Sequence, residues 1–448
     1  MTIADLAGAV TAATDIELDR VPADALRHAG LVVADTVAVI CAGARSPEVG
    51  AMVQLGIEDG TARANGTGLV PHSPDPWSST VLTTPTVRTS AANAAFLNAT
   101  AGTFLELDEG MRPTGHPAMH VVPAALAVAE RRQRPGSELL RAILAGYETS
   151  SRLFRAFRLR YPVHPHGHFG AVGAAVAVAL LDDVDPVEAA LIAATTPLLP
   201  VWDACFDGAT ARNTYTGLAS QSGVRSCQLA RAGVTGSRHA LTAAFGEVAG
   251  ELADPHVLST PLDYNRLGIV GNYLKRHSAC ALSHAALDAI LRLPLPAVEE
   301  IRRVQVETVS NNMKLDRLPS PNDLSARFSL PYAVATAIAL GRTDPEAFQF
   351  RPDVASLARL VDVEIAEDLE AAWPVASPTR VTVYTSSGEL SQVVENPRGH
   401  HDAPFEEAEL EQKFDDLVRS AEATRLWQTL TNLPSLDDCA LLFTGTFD

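Results

Sequence analysis

The chain has 448 residues, of which 47% are hydrophobic, so it can bury more than one hydrophobic core. Its formal net charge of −18 repels polyanions at long range, and its longest basic run, RRQRPG at 131–136, is too short to follow a phosphate backbone. Nucleic acid is therefore not an expected partner.

The N-terminal stretch MTIADLAGAVTAATDIELDR lacks the basic start of a signal peptide, so we expect a cytoplasmic protein. The longest apolar runs, at 30–44 and 170–181, are too short to span a bilayer or carry an acid, as Asp35 does. Both are expected to be buried helices, and no membrane partner is predicted. The five cysteines form no CxxC pair, which argues against a disulfide scaffold or a zinc site.

Apolar residues recur at helical spacing through the first 265 residues, as in SELLRAILAGYETSSRLFRAF from residue 137. Further helices are predicted at 24–42, 88–103, 121–132, 170–181, 187–194 and 217–232. The spacing of apolar residues changes after residue 266. Apolar and polar residues alternate, as they do in strands, at 302–310, 360–367 and 379–395. The last of these segments is predicted to be a hairpin that turns at Ser-Ser-Gly. Helical spacing returns near residue 400, so the tail is expected to rejoin the first unit.

The stretch FLELDEGMRPTGHPAMH at 104–120 places Glu106, Asp108, Glu109 and His116 on a segment interrupted by Gly and Pro. No regular helix can run through it, so it is expected to be an irregular loop. Its carboxylates and imidazole either face a cleft or belong to an acidic surface loop.

Three histidines alternate in YPVHPHGHFGAVGAA, at His164, His166 and His168, just before a helix. This spacing permits a metal site, but a zinc site needs further ligands and a supporting shell. The alternatives are imidazoles that line a pocket or cap the helix.

The stretch NYLKRHSACALSHAALDA gathers Lys275, Arg276 and His277 before another helix. Cations beside a helix N-terminus suit a carboxylate ligand, whereas the alternative is a solvated basic turn. Cys280 and His284 are either a thiolate pair or a buried cysteine with a neighbouring imidazole.

Six segments, taken together and in order, carry a family resemblance: LELDEGMRPTGHPAMHVVPAALAVAE, AGYETSSRL, HPHGHFGAVGAAVAVALL, GLASQSGVRSCQLARAGVTG, LKRHSACALSHAALDA and ARFSLPYAVATAIAL. The chain resembles the MmgE/PrpD family, which contains 2-methylcitrate dehydratases, cis-aconitate decarboxylases and iminodisuccinate epimerases. The resemblance covers most of the chain.

The resemblance implies a mainly α fold, with a large all-helical domain built from 1–265 and 400–448 and a smaller α+β lid domain from 266–399. It also implies a homodimer, an active site between the two domains, and no metal or organic cofactor. Family active-site positions correspond here to Glu106, Asp108, His116, His164, Arg212, Lys275 and Tyr332, with Arg276 and His277 beside them.

The chemistry shared by such enzymes creates or quenches negative charge on a carbon next to a carboxylate. Lys275 and Arg212, with Arg276 and His277, are expected to bind substrate carboxylates. His116 and His164 suit acid–base roles, because an ordinary imidazole titrates near neutral pH.

Asp108 or Glu106 is expected to fix an imidazole tautomer or to act as the base, and Tyr332 to donate a proton. Glu106 stands where relatives of known activity typically have Asp, Glu109 and Gly110 stand where Asp followed by Thr is common, and Arg212 stands where the decarboxylases have Lys. These departures point to a different substrate. Because Arg practically never gives up its proton, Arg212 is expected to bind an anion rather than to do acid chemistry.

We therefore predict a hydro-lyase that acts on a small di- or tricarboxylate bearing a hydroxyl group. An epimerase and a decarboxylase remain alternatives, because all three reactions need the same groups around a carbanion. A non-catalytic carboxylate-binding relative is a more remote alternative.

Overall fold

The computed structural model describes residues 4–64 and 79–444. Helices predominate in this part of the chain. In order, they are α1 Leu6–Thr14, α2 Ala23–Gly43, α3 Pro47–Glu58, α4 Ala91–Thr103, α5 Pro117–Arg132, α6 Gly136–Ala156, α7 His168–Leu181, α8 Pro186–Thr195, α9 Asp203–Asp207, α10 Thr214–Arg231, α11 His256–Ser259, α12 His284–Arg292, α13 Asp323–Arg327, α14 Leu330–Leu340, α15 Pro352–Leu357, α16 Glu367–Glu370, α17 Glu407–Val418 and α18 Ala423–Leu430.

The strands are short except in the last third of the chain. They are β1 Ala62–Ala64, β2 Ser79–Val81, β3 Val87–Thr89, β4 Gly110–Met111, β5 Phe157–Leu159, β6 Gly250–Leu252, β7 Asn272–Tyr273, β8 Ile301–Thr308, β9 Val361–Ile365, β10 Thr379–Thr385 and β11 Glu389–Val394. They form sheets in the orders β1-β3-β2, β4-β7, β5-β6 and β11-β10-β8-β9.

A first hydrophobic core is built mostly from residues before 275, together with α17 and α18. Its central helix, α7, is apolar on all sides and packs against α5, α6, α8 and α10. Small residues let these helices approach closely: a Cβ atom added at Gly146 of α6 would lie 2.5 Å from the carbonyl oxygen of Gly173 in α7. The Ala- and Gly-rich composition of the helices therefore has a direct packing role.

A second hydrophobic core lies around the four-stranded sheet, with α12 and α14 packed near it. The predicted hairpin is confirmed, since β10 pairs antiparallel with β11, and β8 pairs antiparallel with β10 and parallel with β9. Val304 and Val306 of β8 are fully buried, as are Val381 and Val383 of β10. The alternating pattern of these strands thus reflects one buried and one exposed face.

The prediction of an all-helical domain from 1–265 and 400–448 is wrong, because these residues also form the sheet β1-β3-β2 and the pair β5-β6. The two-domain description is not confirmed either. Strand β4 pairs with β7, on the other side of the expected boundary, and Trp202 and Phe206 pack in the second core. Strands of two or three residues show no alternation, so the sequence pattern does not reveal them. The boundaries at 266 and 400 stay predictions.

Helix α2 is long and apolar enough to cross a membrane by length and composition alone. In the structure most of it is buried in the first core, where Val33, Val37 and Ile40 are inaccessible to solvent. This is the environment of a core helix in a globular protein, as the sequence predicts for this apolar run.

Candidate active site

A cavity of about 570 Å³ is lined by residues from both hydrophobic cores. Its charged lining is unusual for a protein with a net charge of −18, because six cations face it and Glu106 is the single carboxylate among the described lining residues. The cations are Arg112, Arg155, Arg158, Arg212, Lys275 and Lys314, and His116 and His164 also line the cavity. A site of this composition attracts anions although the whole protein repels them.

The short β4-β7 pair brings two distant segments together at the cavity. Gly110 pairs with Tyr273, and a Cβ atom at Gly110 would lie 2.2 Å from the Tyr273 hydroxyl, so any larger residue here would require the Tyr273 side chain to move. Glu106 precedes the strand in a left-handed conformation with φ of 51°, which is strained for a residue with a side chain. The loop is therefore held in an irregular path, as predicted.

Four charged side chains form a buried cluster at this point. Lys275 Nζ lies 3.0 Å from Asp108 Oδ1 and 3.2 Å from Glu106 Oε2, and Arg212 forms an ion pair with the other oxygen of Glu106. All four side chains are at most 2% exposed. Two carboxylates thus balance two cations in an environment that would strongly disfavour an isolated charge.

The same cluster keeps Asp108, Lys275 and Arg212 ionised. Burial alone would raise the pKa of Asp108, but Lys275 and His116 outweigh it and hold the pKa well below its usual range. Burial alone would lower the pKa of Lys275, yet Asp108 and Glu106 raise it, and Glu106 does the same for Arg212. Lys275 is therefore a fixed positive charge at neutral pH, suited to stabilise negative charge rather than to accept a proton.

Lys275 is also held through its backbone by the C-terminal part of the chain. Lys413 of α17 donates a hydrogen bond to the carbonyl oxygen of Lys275 at 2.8 Å and forms an ion pair with Asp35 of α2 at 2.6 Å. Ser278 donates to the carbonyl oxygen of Leu105 at 2.5 Å. These contacts fix the Lys275 segment against the loop that carries Glu106 and Asp108.

The two cavity histidines have different hydrogen-bond patterns. The Nδ1 atom of His116 lies 2.6 Å from the carbonyl oxygen of Glu109 and 3.1 Å from Asp108 Oδ2, so Nδ1 carries the proton and Nε2 is free to accept one. In His164, Nδ1 instead accepts a hydrogen bond from the backbone N–H of His166 at 3.1 Å. A neutral His164 therefore carries its proton on Nε2.

Burial, and then the neighbouring His166 and Arg212, hold the pKa of His164 well below its usual range. His164 is thus neutral at physiological pH. The ring lies against the indole of Trp202, with a centroid distance of 4.4 Å.

Glu109 lies behind the loop and has a different environment from its neighbours. Its carboxyl group accepts hydrogen bonds from the Tyr147 hydroxyl and from the backbone N–H of Ala118 at 3.0 Å. Burial nevertheless raises the pKa of Glu109 to about 8, so the group is largely protonated at neutral pH. Its main link to the cavity is the carbonyl oxygen that orients His116.

The structure separates the three alternating histidines. His164 reaches the cavity, whereas the His166 ring packs edge-on against His116 and His164, with centroid distances of 4.3 and 4.7 Å. His168 lies among Phe154, Phe169 and Phe245, with both ring nitrogens hydrogen-bonded to backbone groups. These three histidines therefore do not converge on one metal position.

Asp108, His116 and His166 do place potential ligand atoms within 4.8 Å of one another. Their chemistry fits a cation poorly, because Asp108 already pairs with Lys275 and the Nδ1 proton of His116 is directed at the Glu109 carbonyl. His166 is the most notable residue without a predicted role. It is fully buried, its Nε2 lies 3.4 Å from Asp108 Oδ2, and neither ring nitrogen has a hydrogen-bond partner in the described chain.

The structure thus brings together Glu106, Asp108, His116, His164, Arg212 and Lys275. It places the other three predicted site residues elsewhere. The Tyr332 hydroxyl contacts the backbone of Gln349 and Arg351, and its ring stacks on Phe350 in the second core. His277 is hydrogen-bonded to Thr343 and lies 3.1 Å from Asp288, which also pairs with Arg276.

Four lining cations, Arg112, Arg155, Arg158 and Lys314, are not among the predicted residues. Arg112 lies within the acidic loop stretch, so the clustering of charges there could have pointed to it. Lys314 lies in a short turn, SNNMKL, that shows no motif. A lone lysine in a turn is most often solvated, which is why the sequence alone gives no reason to select it.

The fold and the cavity define a mainly helical protein with a cavity lined by cations and by two histidines. The chain belongs to the MmgE/PrpD family: the MmgE/PrpD N-terminal domain matches residues 9–255 and the MmgE/PrpD C-terminal domain matches residues 277–432. The predicted family is therefore confirmed.

The cis-aconitate decarboxylase of Homo sapiens is 27% identical over 403 residues, which cover 82% of each chain. The name of this relative denotes a lyase, in agreement with the predicted lyase type at the level of the family. The matches with the family and this relative do not define the reaction or the substrate of the present chain.

Proposed function

We propose that the protein is a lyase, specifically a hydro-lyase that removes water from a small hydroxy-polycarboxylate after abstracting a proton beside a carboxylate. The observation that carries this proposal is the convergence of Lys275, His116 and His164 on one cavity rich in cations. Lys275 and His116 both lie within hydrogen-bonding distance of Asp108, which links charge stabilisation to proton transfer.

His116 is the base in this proposal. The Glu109 carbonyl and Asp108 hold its Nδ1 proton, which leaves Nε2 as the acceptor for a substrate proton. Asp108 stays ionised and stabilises the imidazolium that forms, as a buried carboxylate does for a catalytic histidine.

Lys275 and Arg212 stabilise the enolate-like charge that develops on the substrate carboxylate. Both remain protonated because Glu106 and Asp108 raise their pKa values. The side chains are held before substrate arrives, so little reorganisation is needed when charge develops.

His164 is the proton donor to the leaving hydroxyl group. Its neutral ring carries the proton on Nε2, because Nδ1 accepts from the backbone N–H of His166. The donated proton leaves with the hydroxyl as water, and the carbanion electrons form the new carbon–carbon double bond. The proton that His116 took from the substrate then returns through solvent to His164, which restores both neutral rings. His166 packs against both cavity imidazoles and limits their movement.

Decarboxylation is a second candidate, favoured by the similarity to the human cis-aconitate decarboxylase over most of both chains. In that reaction carbon dioxide leaves instead of hydroxide, and the same Lys275 stabilises the carbanion until a histidine protonates it. The two reactions therefore share the cavity and differ in which bond to carbon breaks.

Proton NMR in D2O with a panel of hydroxylated and unsaturated di- and tricarboxylates tests the proposal. The wild-type protein should produce a vinyl signal without loss of carbon dioxide. Carbon dioxide release indicates the decarboxylase, and deuterium incorporation without any elimination indicates an epimerase. Binding without turnover of any acid would contradict all three reactions.

Two variants separate the roles of the histidines. His116→Gln should lower both deuterium exchange and elimination by about 10²- to 10⁴-fold, the usual contribution of a general base. His164→Gln should retain exchange at the acidic carbon but lose elimination by a similar factor. If both variants lost exchange equally, the assignment of base and donor would be wrong.

A further inference from the structure

A buried histidine outside the cavity lining connects the segment of His116 to the segment of His164. His120 lies in α5, one turn after His116, and its side chain is inaccessible to solvent. Its Nδ1 atom lies 2.6 Å from the carbonyl oxygen of His116, and its Nε2 atom accepts a hydrogen bond from the backbone N–H of Gly167 at 2.9 Å. One ring therefore joins two stretches that are 47 residues apart along the chain.

These two contacts define where the His120 proton lies. Because Nε2 is an acceptor, a neutral ring carries its proton on Nδ1 and donates it to the His116 carbonyl oxygen. Burial lowers the pKa of His120 to about 4, so the ring is neutral at physiological pH. Both nitrogens of His120 thus have partners, in contrast to those of the neighbouring His166.

The Gly167 end of this link reaches His164 through adjacent peptide groups. Gly167 precedes α7 with φ of 102°, a conformation that favours glycine, and amides at the start of a helix lack partners within the helix. The preceding amide, that of His166, donates to Nδ1 of His164 and so sets the tautomer of that ring. His120 therefore holds the peptide group next to the one that orients His164.

The His116 end of the link acts on the backbone of that residue. His120 donates to the His116 carbonyl oxygen, while the His116 ring is held separately, with its Nδ1 atom 2.6 Å from the Glu109 carbonyl oxygen. The His120 ring also lies directly on the first turn of α7, because a Cβ atom added at Gly170 would be 2.2 Å from the His120 Cγ atom. The absence of a side chain at Gly170 thus permits α5 and α7 to enclose the ring.

We propose that His120 is a positioning residue that fixes the base His116 relative to the proton donor His164, with one hydrogen bond to each segment. This inference rests on the proposed lyase function. An elimination needs its base and its proton donor in a defined mutual geometry, and a displacement of about 1 Å can cost about 100-fold in rate. The described residues that line the cavity do not include His120, so its effect falls on the turnover number and not on substrate binding.

Two conservative variants separate the two hydrogen bonds. In His120→Asn the amide nitrogen takes the place of Nδ1 and can donate to the His116 carbonyl, but the side chain is too short to reach Gly167. In His120→Gln the terminal oxygen takes the place of Nε2 and can accept from Gly167, whereas the contact with His116 is lost.

The polycarboxylate panel in D2O measures the two steps separately. His120→Asn should keep deuterium exchange within about threefold of wild type and lose elimination by about 10- to 100-fold. His120→Gln should lose exchange and elimination together by a similar factor. The KM of both variants should stay within about twofold of wild type, because substrate binding does not depend on this link.

Nuclear magnetic resonance of the full chain, with its histidines labelled by the heavy nitrogen isotope, tests the same link without a substrate. Long-range proton–nitrogen correlations show which nitrogen of each ring carries the proton. The His120 signals, assigned by their absence in the variants, should show the proton on Nδ1. The His164 signals should change in His120→Asn while those of His116 stay in place, and the reverse should hold in His120→Gln.

His277→Asn is the matched control, because His277 is equally buried and hydrogen-bonded on both nitrogens but contacts Thr343 and Asp288. It should lower the melting temperature and leave the turnover number within about twofold of wild type. An equal loss of turnover in His277→Asn would overturn the inference. A wild-type His120 proton on Nε2 would do the same, and this measurement needs no variant, so it decides the matter should a variant fail to fold.

Failure of the link and failure of the lyase give different results. If the wild type eliminated water from an acid and both folded His120 variants did so at the same rate, the link would be refuted and the lyase would stand. If no acid were turned over but the histidine spectra changed as expected, the lyase would fail and the link between the two segments would stand.

Discussion

Residues 275–277 contribute to two charge clusters that differ in how completely their polar atoms are paired. In the first, Lys275 pairs with Asp108 and Glu106 beside the cavity. In the second, Asp288 lies 3.1 Å from His277 and 3.3 Å from Arg276, and its other oxygen accepts a hydrogen bond from the backbone N–H of Arg398 at 2.7 Å.

The first cluster retains unsatisfied atoms. Arg212 Nε and both ring nitrogens of His166 are buried without a hydrogen-bond partner in the described residues, whereas Glu106 Oε1 and Asp108 Oδ2 lie in ion pairs with Arg212 and His116. Both oxygens of Asp288 are used, and His277 is hydrogen-bonded on both nitrogens. Complete pairing is typical of a structural network, whereas buried polar atoms left unpaired beside a cavity indicate a site prepared for a ligand.

Among residues 275–277 and their partners in the two clusters, the largest expected effect on turnover comes from Lys275→Met, which removes the ammonium group from the first cluster. The turnover number should fall by about 10²- to 10³-fold, as when one preorganised donor to a developing anion is lost. The melting temperature should also fall, because Glu106 and Asp108 lose a buried partner. Steady-state kinetics and calorimetry on the same sample would measure both effects.

Arg276→Met is the matched control for this prediction. Arg276 follows Lys275 in the sequence but belongs to the second cluster, and its side chain is half exposed. An exposed ion pair contributes little, so turnover should remain within about twofold of wild type. Wild-type turnover in Lys275→Met, or an equal loss in both variants, would contradict the division into a catalytic and a structural cluster.

Much of this division could not be predicted from the sequence. Lys275, Arg276 and His277 are adjacent and share a chemical character, so nothing in their order tells which one turns toward the cavity. The distinction depends on the β4-β7 pair and on the Lys413 contact, both of which join segments more than a hundred residues apart. The family resemblance named both Lys275, which lines the cavity, and Tyr332, which lies in the second core.

The fold was predictable where patterns were long. Helices α2, α7 and α10 and the hairpin β10-β11 lie close to their predicted positions, because each contains several repeats of its period. Strands β4 and β7 have two residues each and show no period, although they bring two cavity-lining segments together. The unpredicted part of the fold thus includes the contact that assembles the site.

An intermediate effect is expected from Asp288→Asn, which disrupts the second cluster. The free energy of unfolding should fall by about 1–3 kcal/mol at pH 7, the usual cost of losing hydrogen bonds to a buried charged group, while turnover remains close to wild type. Burial alone would raise the pKa of Asp288, but His277, the Arg398 amide and Arg276 lower it to about 2.

The sign of the pH effect follows from this depressed pKa. Asp288 stabilises the folded state above its ordinary value of 3.8, and the contribution is lost as the pH falls toward about 2. Thermal unfolding curves should therefore show the largest difference between Asp288→Asn and wild type near neutral pH and a shrinking difference below pH 3.8. A variant with normal stability and impaired turnover would assign Asp288 to the catalytic site instead.

The smallest effect on turnover is expected from Glu109→Gln, a residue behind the first cluster. Burial raises the pKa of Glu109 from 4.5 to about 8, so the folded state holds a proton that the unfolded chain releases across this range. Wild-type stability from this group is therefore fully present below pH 4.5 and is lost as the pH rises toward 8. Because glutamine does not titrate, the melting temperature of the variant relative to wild type should rise steadily between these values. The control is Glu389→Gln, which changes an exposed residue of β11, and its melting temperature should follow that of wild type at every pH. If the melting temperatures of Glu109→Gln and wild type ran parallel across this pH range, Glu109 would be ionised in the folded protein and the prediction would be wrong.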